Sequence, residues 1–222
     1  MARFGKAEDS TRLAFGDKSG GRAAVPVRRA GRARVLRIIG GTWLGRKLRF
    51  PASSTIRPTP DRVRETLFNW LGARTPGARV LDLFAGSGAL GLEALSRGAS
   101  HVTFVEHDEA AVRALRTRLT EWQAGDARVA HADALHYLAG EARPFDLVFL
   151  DPPFASELLG EAARMLEERH WLERGALIYV ECAARAGLPQ LPAPWRPLKA
   201  KQAGEVGYHL FAHTAPVAAD NA

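Results

Sequence analysis

The sequence has little cysteine, no long apolar run and no spacing of histidines that suits a metal. Cys182 is the single cysteine in 222 residues, so no internal disulfide can form, and we expect a reducing compartment, the cytoplasm. No run of about eighteen apolar residues occurs, which argues against a membrane-spanning helix, and the N-terminus lacks the apolar segment of a signal peptide. The seven histidines follow no ligand spacing, so we expect no metal ion.

Acidic residues are scarce at the N-terminal end. Residues 1–64 contain 16 Lys and Arg against four Asp and Glu, a balance of +12, whereas residues 65–222 contain 15 against 20, a balance of −5. A basic end joined to a mildly acidic body predicts that a polyanion such as nucleic acid is bound through the N-terminal part.

Large apolar residues are also rare in residues 1–33, which are rich in Gly, Ala, Arg and Ser. Such a segment cannot bury enough surface to order itself, so we expect a flexible basic arm. It could contact RNA or serve only as a solubilising tail. From Arg34 onward, alternating apolar residues around the pair Gly40-Gly41 predict a β-hairpin.

A helix is predicted next, with Thr59 as its N-cap and Pro60 as its first residue. Its apolar residues share one face and are expected in the core: Val63, Leu67, Trp70 and Leu71. Arg62 and Arg64 fall in the first turn, where a cation opposes the helix dipole. Because that placement is locally unfavourable, we expect both arginines to contact phosphate or substrate.

A glycine-rich turn follows the apolar strand of residues 80–84 and precedes a second helix. Gly86, Gly88 and Gly91 let a ligand approach the backbone at the helix N-terminus. Glu106 lies twenty residues after Gly86, the spacing of the acid that binds ribose hydroxyls in dinucleotide-binding folds. A nicotinamide dehydrogenase is therefore one interpretation. Asp82, just before the turn, better suits the amino group of S-adenosylmethionine than a pyrophosphate.

The tetrapeptide Asp151-Pro152-Pro153-Phe154, here called the Asp-Pro-Pro-Phe turn, follows the apolar run of residues 145–150. Proline fixes φ and extends the residue before it, so Asp151 should point into a cleft. Its carboxylate and the Pro152 carbonyl could each accept one N–H of an exocyclic amino group, turning the nitrogen lone pair towards a methyl donor. Phe154 offers a stacking face for an extruded base. The pattern indicates an amino-group methyltransferase; the alternative is a rigid turn that only ends a strand.

The rest of the chain predicts a doubly wound α/β sheet, mostly parallel. Strands 101–105, 128–132, 145–150 and 176–180 alternate with helices that follow Glu109 and Leu158. Residues 198–201 and 206–211, separated by Gly204, predict a C-terminal antiparallel hairpin.

Residues 34–211 resemble the RsmD-type family of small-subunit ribosomal RNA guanine-N2 methyltransferases, within the class I S-adenosylmethionine-dependent fold. Three stretches carry the resemblance: residues 37–41 with 45–48, residues 57–71, and the two motifs above. The middle stretch is the most specific to the family, because both motifs occur in many amino methyltransferases. The resemblance implies methylation of N2 of one guanine in bacterial 16S ribosomal RNA.

The resemblance and the residue patterns together assign the site. The expected catalytic residues are Asp151, Pro152, Pro153 and Phe154. The expected S-adenosylmethionine-binding residues are Asp82, Phe84, Ala85, Gly86, Ser87, Gly88, Glu106, His107, Asp133 and Ala134. The expected RNA-binding residues are Arg46, Lys47, Arg57, Thr59, Arg62 and Arg64. We expect a monomer with an RNA-facing extension at 34–72, a methyltransferase domain at 73–213 and a tail at 214–222.

Other functions stay open at this point. An adenine-N6 methyltransferase acting on DNA or RNA would use the same Asp-Pro-Pro-Phe turn. A protein-glutamine methyltransferase usually carries Asn-Pro-Pro-Tyr, which Asp151 and Phe154 disfavour. A non-catalytic RNA-binding factor in ribosome assembly could retain the fold. Neither the target nucleotide nor the choice between free RNA and a partly assembled ribosomal particle follows from the sequence.

Overall fold

The computed structural model describes residues 34–50, 59–154 and 157–214. The predicted arm, Arg57 and nearly all of the predicted tail lie outside these ranges. The strands are β1 (Arg34–Arg37), β2 (Lys47–Phe50), β3 (Arg79–Asp82), β4 (His101–Glu106), β5 (Ala127–His131), β6 (Phe145–Leu150), β7 (Leu172–Ala183), β8 (Trp195–Ala203) and β9 (Val206–His213). The helices are α1 (Asp61–Leu71), α2 (Ala89–Ser96), α3 (Glu109–Glu121), α4 (Ala134–Leu138) and α5 (Leu158–Glu168).

Strands β3 to β9 form one sheet in the order β5-β4-β3-β6-β7-β9-β8. The first five strands of that order are parallel, and β9 pairs antiparallel with both β7 and β8. This confirms the predicted doubly wound sheet and its C-terminal antiparallel hairpin. The chain moves outward from β3 to β5 and then returns to β6, so the strand order reverses between β3 and β6. Ligands of such sheets bind at that point, beyond the carboxyl ends of the strands.

Both faces of the central strands are buried, which explains their continuous apolar character. Val80, Leu81 and Val148 have no measurable exposure, as expected for parallel strands covered by helices on both sides. Gly91 lets α2 lie close to the sheet, because a Cβ at that position would come within 2.2 Å of Phe104 Cε1. None of the helices in the described residues is long and apolar enough to cross a membrane.

The β1–β2 hairpin, confirmed as predicted, is joined to α2 by polar contacts. The buried Glu93 carboxylate accepts from the Ile39 backbone N–H at 2.9 Å, and the Ser96 hydroxyl accepts from the Trp43 N–H at 2.9 Å. A Cβ on Gly41 would collide with the Ser96 carbonyl, so glycine is required there. The hairpin therefore belongs to the same compact unit as the sheet, and the division into an extension and a domain stays a prediction.

Helix α1 begins one residue later than predicted. Pro60 occupies the N-cap position, and no side chain caps the helix. The prediction of Thr59 as N-cap was wrong, because its hydroxyl is directed to two carboxylates across the cavity described below. The predicted core face is correct for Val63, Leu67 and Leu71, which are buried. Trp70 is only partly buried and stacks on Tyr208, with ring centroids 5.4 Å apart.

Candidate active site

A cavity of about 840 Å³ lies at the carboxyl ends of the parallel strands, at the reversal of strand order. Segments at the ends of β3, β4, β5 and β6 form most of its wall, and the rest includes Thr59, Pro60, Glu181 and Val206. It brings together the predicted residues Asp82, Phe84, Ala85, Gly86, Ser87, Glu106, His107, Asp133, Ala134, Asp151, Pro152, Pro153 and Phe154. All the predicted catalytic and cofactor-binding residues lie in the part of the chain that the structure describes, and Gly88 is the one that does not line the cavity.

Gly88 shapes the turn that leads into α2. Its φ of +75° lies in the left-handed region, which glycine adopts without strain. A Cβ at Gly88 would lie 2.6 Å from Leu115 Cδ1 of α3. The residue therefore permits a tight turn and close packing of two helices beneath the cavity.

Asp82 is a buried carboxylate at the end of β3. Its Oδ2 accepts a hydrogen bond from the Gly91 N–H at 3.0 Å, and the side chain lines the cavity. Burial raises the pKa of Asp82 to about 7; the Gly91 hydrogen bond opposes the shift and the nearby Glu106 adds to it. A buried carboxylate with this pKa is a strong site for a cationic group, because a positive partner would restore the charged form.

Glu106 ends β4 and joins two loops of the cavity wall. One carboxylate oxygen accepts from the Gly86 N–H at 2.7 Å, and the other accepts from the Asp108 N–H at 2.7 Å. These contacts orient the carboxylate at the cavity. A carboxylate has about four acceptor sites, so two backbone donors leave capacity for a diol.

Asp133 follows β5 and caps the short helix α4. Its Oδ1 accepts from the backbone N–H groups of Leu135 and His136, at 2.9 Å and 3.1 Å. The residue is exposed and lies in the wall beside Ala134. The sequence prediction did not include α4, which is only five residues long.

The Asp-Pro-Pro-Phe turn enters the same cavity from the end of β6. Asp151 is half-buried, Pro152 is buried and Phe154 is half-buried. The Thr59 hydroxyl lies 3.4 Å from Asp151 Oδ2. A carboxylate, a rigid turn and an aromatic face thus meet the cavity that also contains Asp82.

Glu181 is a cavity residue that sequence reasoning missed. It lies in β7, is 2% exposed, and accepts hydrogen bonds at Oε1 from the hydroxyls of Thr59 and Tyr179, at 3.1 Å and 2.8 Å. The pKa of Tyr179 is raised well above its usual value of 10, first by burial and then by the charge of Glu181. The apolar run of residues 176–180 marked the strand, but nothing in the sequence marked the residue after it.

The predicted RNA-binding residues differ in exposure and in location. Arg62 and Lys47 are exposed. Arg46 is exposed, and its guanidinium lies over the rings of Trp43 and Trp122, at 5.8 Å and 5.3 Å from their centroids. Thr59 is buried in the cavity wall rather than on a basic surface.

The RNA-contact prediction for Arg64 was wrong. Its side chain is fully buried and bonds to Glu93, to Asp61 and to the carbonyl oxygen of Arg37, at 3.3, 2.7 and 2.7 Å. The unfavourable position of a cation in the first helical turn is compensated by carboxylates within the protein, not by phosphate.

Comparisons with known proteins agree with this geometry. The family model described as "Conserved hypothetical protein 95" matches residues 36–212. A curated relative, "Ribosomal RNA small subunit methyltransferase D" of Escherichia coli K12, is 51% identical over 176 residues, which cover 79% of this chain and 89% of the relative. A solved Escherichia coli structure, provisionally described as a methyltransferase, has a TM-score of 0.76 and 48% identity, covering 82% of this chain and 99% of its own.

A more distant structure shares the fold alone. It is an RNA methyltransferase from Salinibacter ruber in complex with S-adenosyl-L-homocysteine, with a TM-score of 0.57 and 16% identity, covering 74% of this chain and 98% of its own.

Proposed function

This chain belongs to the conserved hypothetical protein 95 family, whose curated relatives include ribosomal RNA small subunit methyltransferase D, and on that premise we propose its reaction. The enzyme is a methyltransferase of 16S ribosomal RNA. It transfers a methyl group from S-adenosylmethionine to the exocyclic N2 of one guanine. The observation that carries the proposal is the meeting of Asp82 and the Asp-Pro-Pro-Phe turn in one cavity.

The residues of the cavity fit S-adenosylmethionine. Asp82 is a buried carboxylate suited to the amino group of the cofactor, and Glu106 is an oriented carboxylate suited to two ribose hydroxyls. Asp133 lies where an acceptor for the adenine amino group is expected, after β5. When bound, S-adenosylmethionine supplies an electrophilic methyl group.

The protein's own residues position the acceptor nitrogen. Asp151 accepts one N–H of the guanine amino group, and the Pro152 carbonyl accepts the other. Both contacts direct the nitrogen lone pair towards the methyl group, while Phe154 stacks on the extruded base. No covalent intermediate with the protein is required, so orientation supplies most of the acceleration. After transfer, the N2 proton passes to Asp151 or to water.

Replacing Asp82 with asparagine should weaken S-adenosylmethionine binding by roughly 30-fold or more near pH 8, because loss of one partner leaves a buried charge unpaired. Without cofactor, the same change should stabilise the protein. A pKa raised from 3.8 to about 7 means that the folded state holds the proton more tightly than the unfolded state, so Asp82 opposes folding once it ionises. The gain should approach about 4 kcal/mol above pH 7 at most.

Calorimetric titration and thermal melts at about pH 5 and about pH 8 measure both effects. The Asp82 contribution to wild-type stability should fall as pH rises from about 4 to about 7, and this loss should be absent from the Asp82→Asn variant. A variant that loses stability over that range as steeply as wild type would contradict the assigned pKa. Asp126→Asn is the matched control, because Asp126 is exposed. Asp146 is less suitable, because its carboxylate accepts from the Arg79 N–H.

Arg62 is the exposed cation of α1 on which we base the RNA-facing part of the proposal. Arg62→Ala should lower the apparent affinity for RNA severalfold and reduce the salt dependence of binding by about one counterion. Cofactor affinity should stay unchanged, because Arg62 is not in the cavity wall. Filter binding at several salt concentrations, with a parallel cofactor titration, tests this. An equal loss of RNA affinity and cofactor affinity would contradict the assignment of Arg62 to RNA binding.

The reaction itself is tested by transfer of labelled methyl to unmodified small subunits, free ribosomal RNA and duplex DNA, followed by nucleoside mass spectrometry. N2-methylguanosine from subunits or RNA supports the proposal, and the better acceptor identifies the assembly stage. N6-methyladenosine, or label only in DNA, would favour the adenine-methyltransferase alternative. A cofactor bound without any transfer would favour a non-catalytic assembly factor.

A further inference from the structure

Glu181 places a second carboxylate beside Asp151 in the cavity. Strands β6 and β7 are parallel neighbours, and their register pairs Leu150 with Val180. Asp151 directly follows β6, Glu181 is the next residue of β7, and both line the cavity. The reaction as proposed uses only Asp151, so Glu181 is a buried acid without an assigned role.

The carboxylate of Glu181 is oriented by two hydroxyl groups of the cavity region. Thr59 and Tyr179 both bond to its Oε1, at 3.1 Å and 2.8 Å. These two donors set the orientation of the carboxylate. Because the pKa of Tyr179 is raised well above its ordinary value, the tyrosine keeps its proton and remains a donor. The result is an oriented acceptor at the wall of the cavity.

Guanine and adenine differ in the protonation of N1, the ring nitrogen adjacent to the carbon that bears the amino group in each base. Guanine carries an N1–H donor adjacent to its 2-amino group, so two neighbouring groups on that edge donate. Adenine has an unprotonated N1 that can only accept, next to its 6-amino group. An acceptor facing N1 therefore attracts guanine and repels adenine, and flipped bases are read by such contacts on their Watson–Crick edge.

We propose that Glu181 is the specificity-determining residue of the active site and accepts the N1–H of guanine while Asp151 accepts an N–H of the 2-amino group. The inference rests on the proposed function and names the contact that selects guanine. Thr59 and Tyr179 are positioning residues that aim the Glu181 carboxylate. Sites built to hydrogen-bond a substrate N–H can reject analogues without it by about 10⁴-fold.

A purely structural role for Glu181 gives a different expectation. The Thr59 hydroxyl lies within hydrogen-bond distance of both Asp151 and Glu181. In a structural role, Glu181 would do no more than hold Thr59 in place. In that case any change at Glu181 would slow transfer to every base by a similar factor. A change in base preference separates the two roles.

The test uses 2-aminopurine, which keeps the 2-amino group but has an unprotonated N1. The target guanosine is first mapped with the wild-type enzyme. Small-subunit RNA is then prepared with either guanosine or 2-aminopurine riboside at that position and presented in the form that the enzyme accepts. Wild-type enzyme should prefer guanosine by about 100-fold or more in kcat/KM. Glu181→Gln, whose amide can donate to the bare N1, should reduce this preference at least about tenfold.

The controls separate each failure. Glu141→Gln replaces an exposed glutamate outside the cavity wall, and its preference should match wild type. Glu181→Gln with slower transfer but unchanged preference would overturn the proposal. If that variant does not fold, the comparison of the two RNAs with wild-type enzyme still tests the proposal. Equal rates of transfer to guanosine and 2-aminopurine by wild-type enzyme would also overturn the proposal. A wild-type enzyme that forms no N2-methylguanosine would instead refute the proposed function.

Discussion

Asp151→Ala should lower methyl transfer by about a thousandfold or more while S-adenosylmethionine affinity stays within about threefold of wild type. Asp151 lies in the turn after β6, whereas the predicted cofactor contacts end or follow β3, β4 and β5. Removing its carboxylate would leave the amino nitrogen without one of its two orienting acceptors. Single-turnover transfer of labelled methyl measures the rate, and calorimetry measures the cofactor affinity.

Asp151→Asn provides the graded comparison. Asparagine keeps one oxygen acceptor in nearly the same volume but loses the charge, so its rate should fall between those of alanine and wild type. Thermal melts of both variants show whether the fold is intact. An alanine variant with near wild-type turnover would show that the active-site assignment is wrong.

Arg64→Ala should destabilise the folded protein by about 3 kcal/mol, because it removes a buried cation and leaves the buried Glu93 carboxylate with one of its two cationic partners. The Arg64 and Glu93 side chains are both 0% exposed. Glu93 would keep Arg97 and the Ile39 N–H as partners, but the Arg37 carbonyl would lose its donor from Arg64. The contact between the β1–β2 hairpin and α1 should therefore weaken, and the free energy of unfolding of the whole protein should fall.

Arg62→Ala is the matched control for Arg64→Ala, two residues away on the same helix. Arg62 is exposed, so its loss should change the free energy of unfolding by less than about 0.5 kcal/mol. Urea denaturation of the two variants measures the contrast. Undiminished stability of the Arg64 variant, accompanied by lost RNA binding, would restore the RNA-contact interpretation of Arg64.

The sequence predicted the fold closely because its signals are local. Short apolar runs followed by Gly, Asp or Pro mark the ends of buried parallel strands, and residues 80–84 and 145–150 both show that pattern. The alternation with helices then leaves few topologies. The start of α1 differs by one residue, at a helix terminus, where local signals are weakest. Helix α4 was missed because five residues are too few to show a helical period.

The candidate site was predictable only where a motif signals it. The glycine turn and the Asp-Pro-Pro-Phe turn carry their chemistry in adjacent residues, and both line the cavity. Arg62 and Arg64 looked alike in the sequence because both are cations in a first turn. Whether such a cation faces solvent or a buried carboxylate depends on a partner 29 residues away, Glu93.

The sequence by itself determined the doubly wound sheet, the two motifs and the basic character of the N-terminal end. Those features depend on neighbouring residues or on summed charge. Only the tertiary structure decided which polar side chains meet: it joined Thr59 to Asp151 and to Glu181 across 92 and 122 positions, and it buried Arg64 against Glu93. The physical reason is that a hydrogen bond or ion pair depends on distance in space, and strand order, not chain order, sets which strand ends are neighbours.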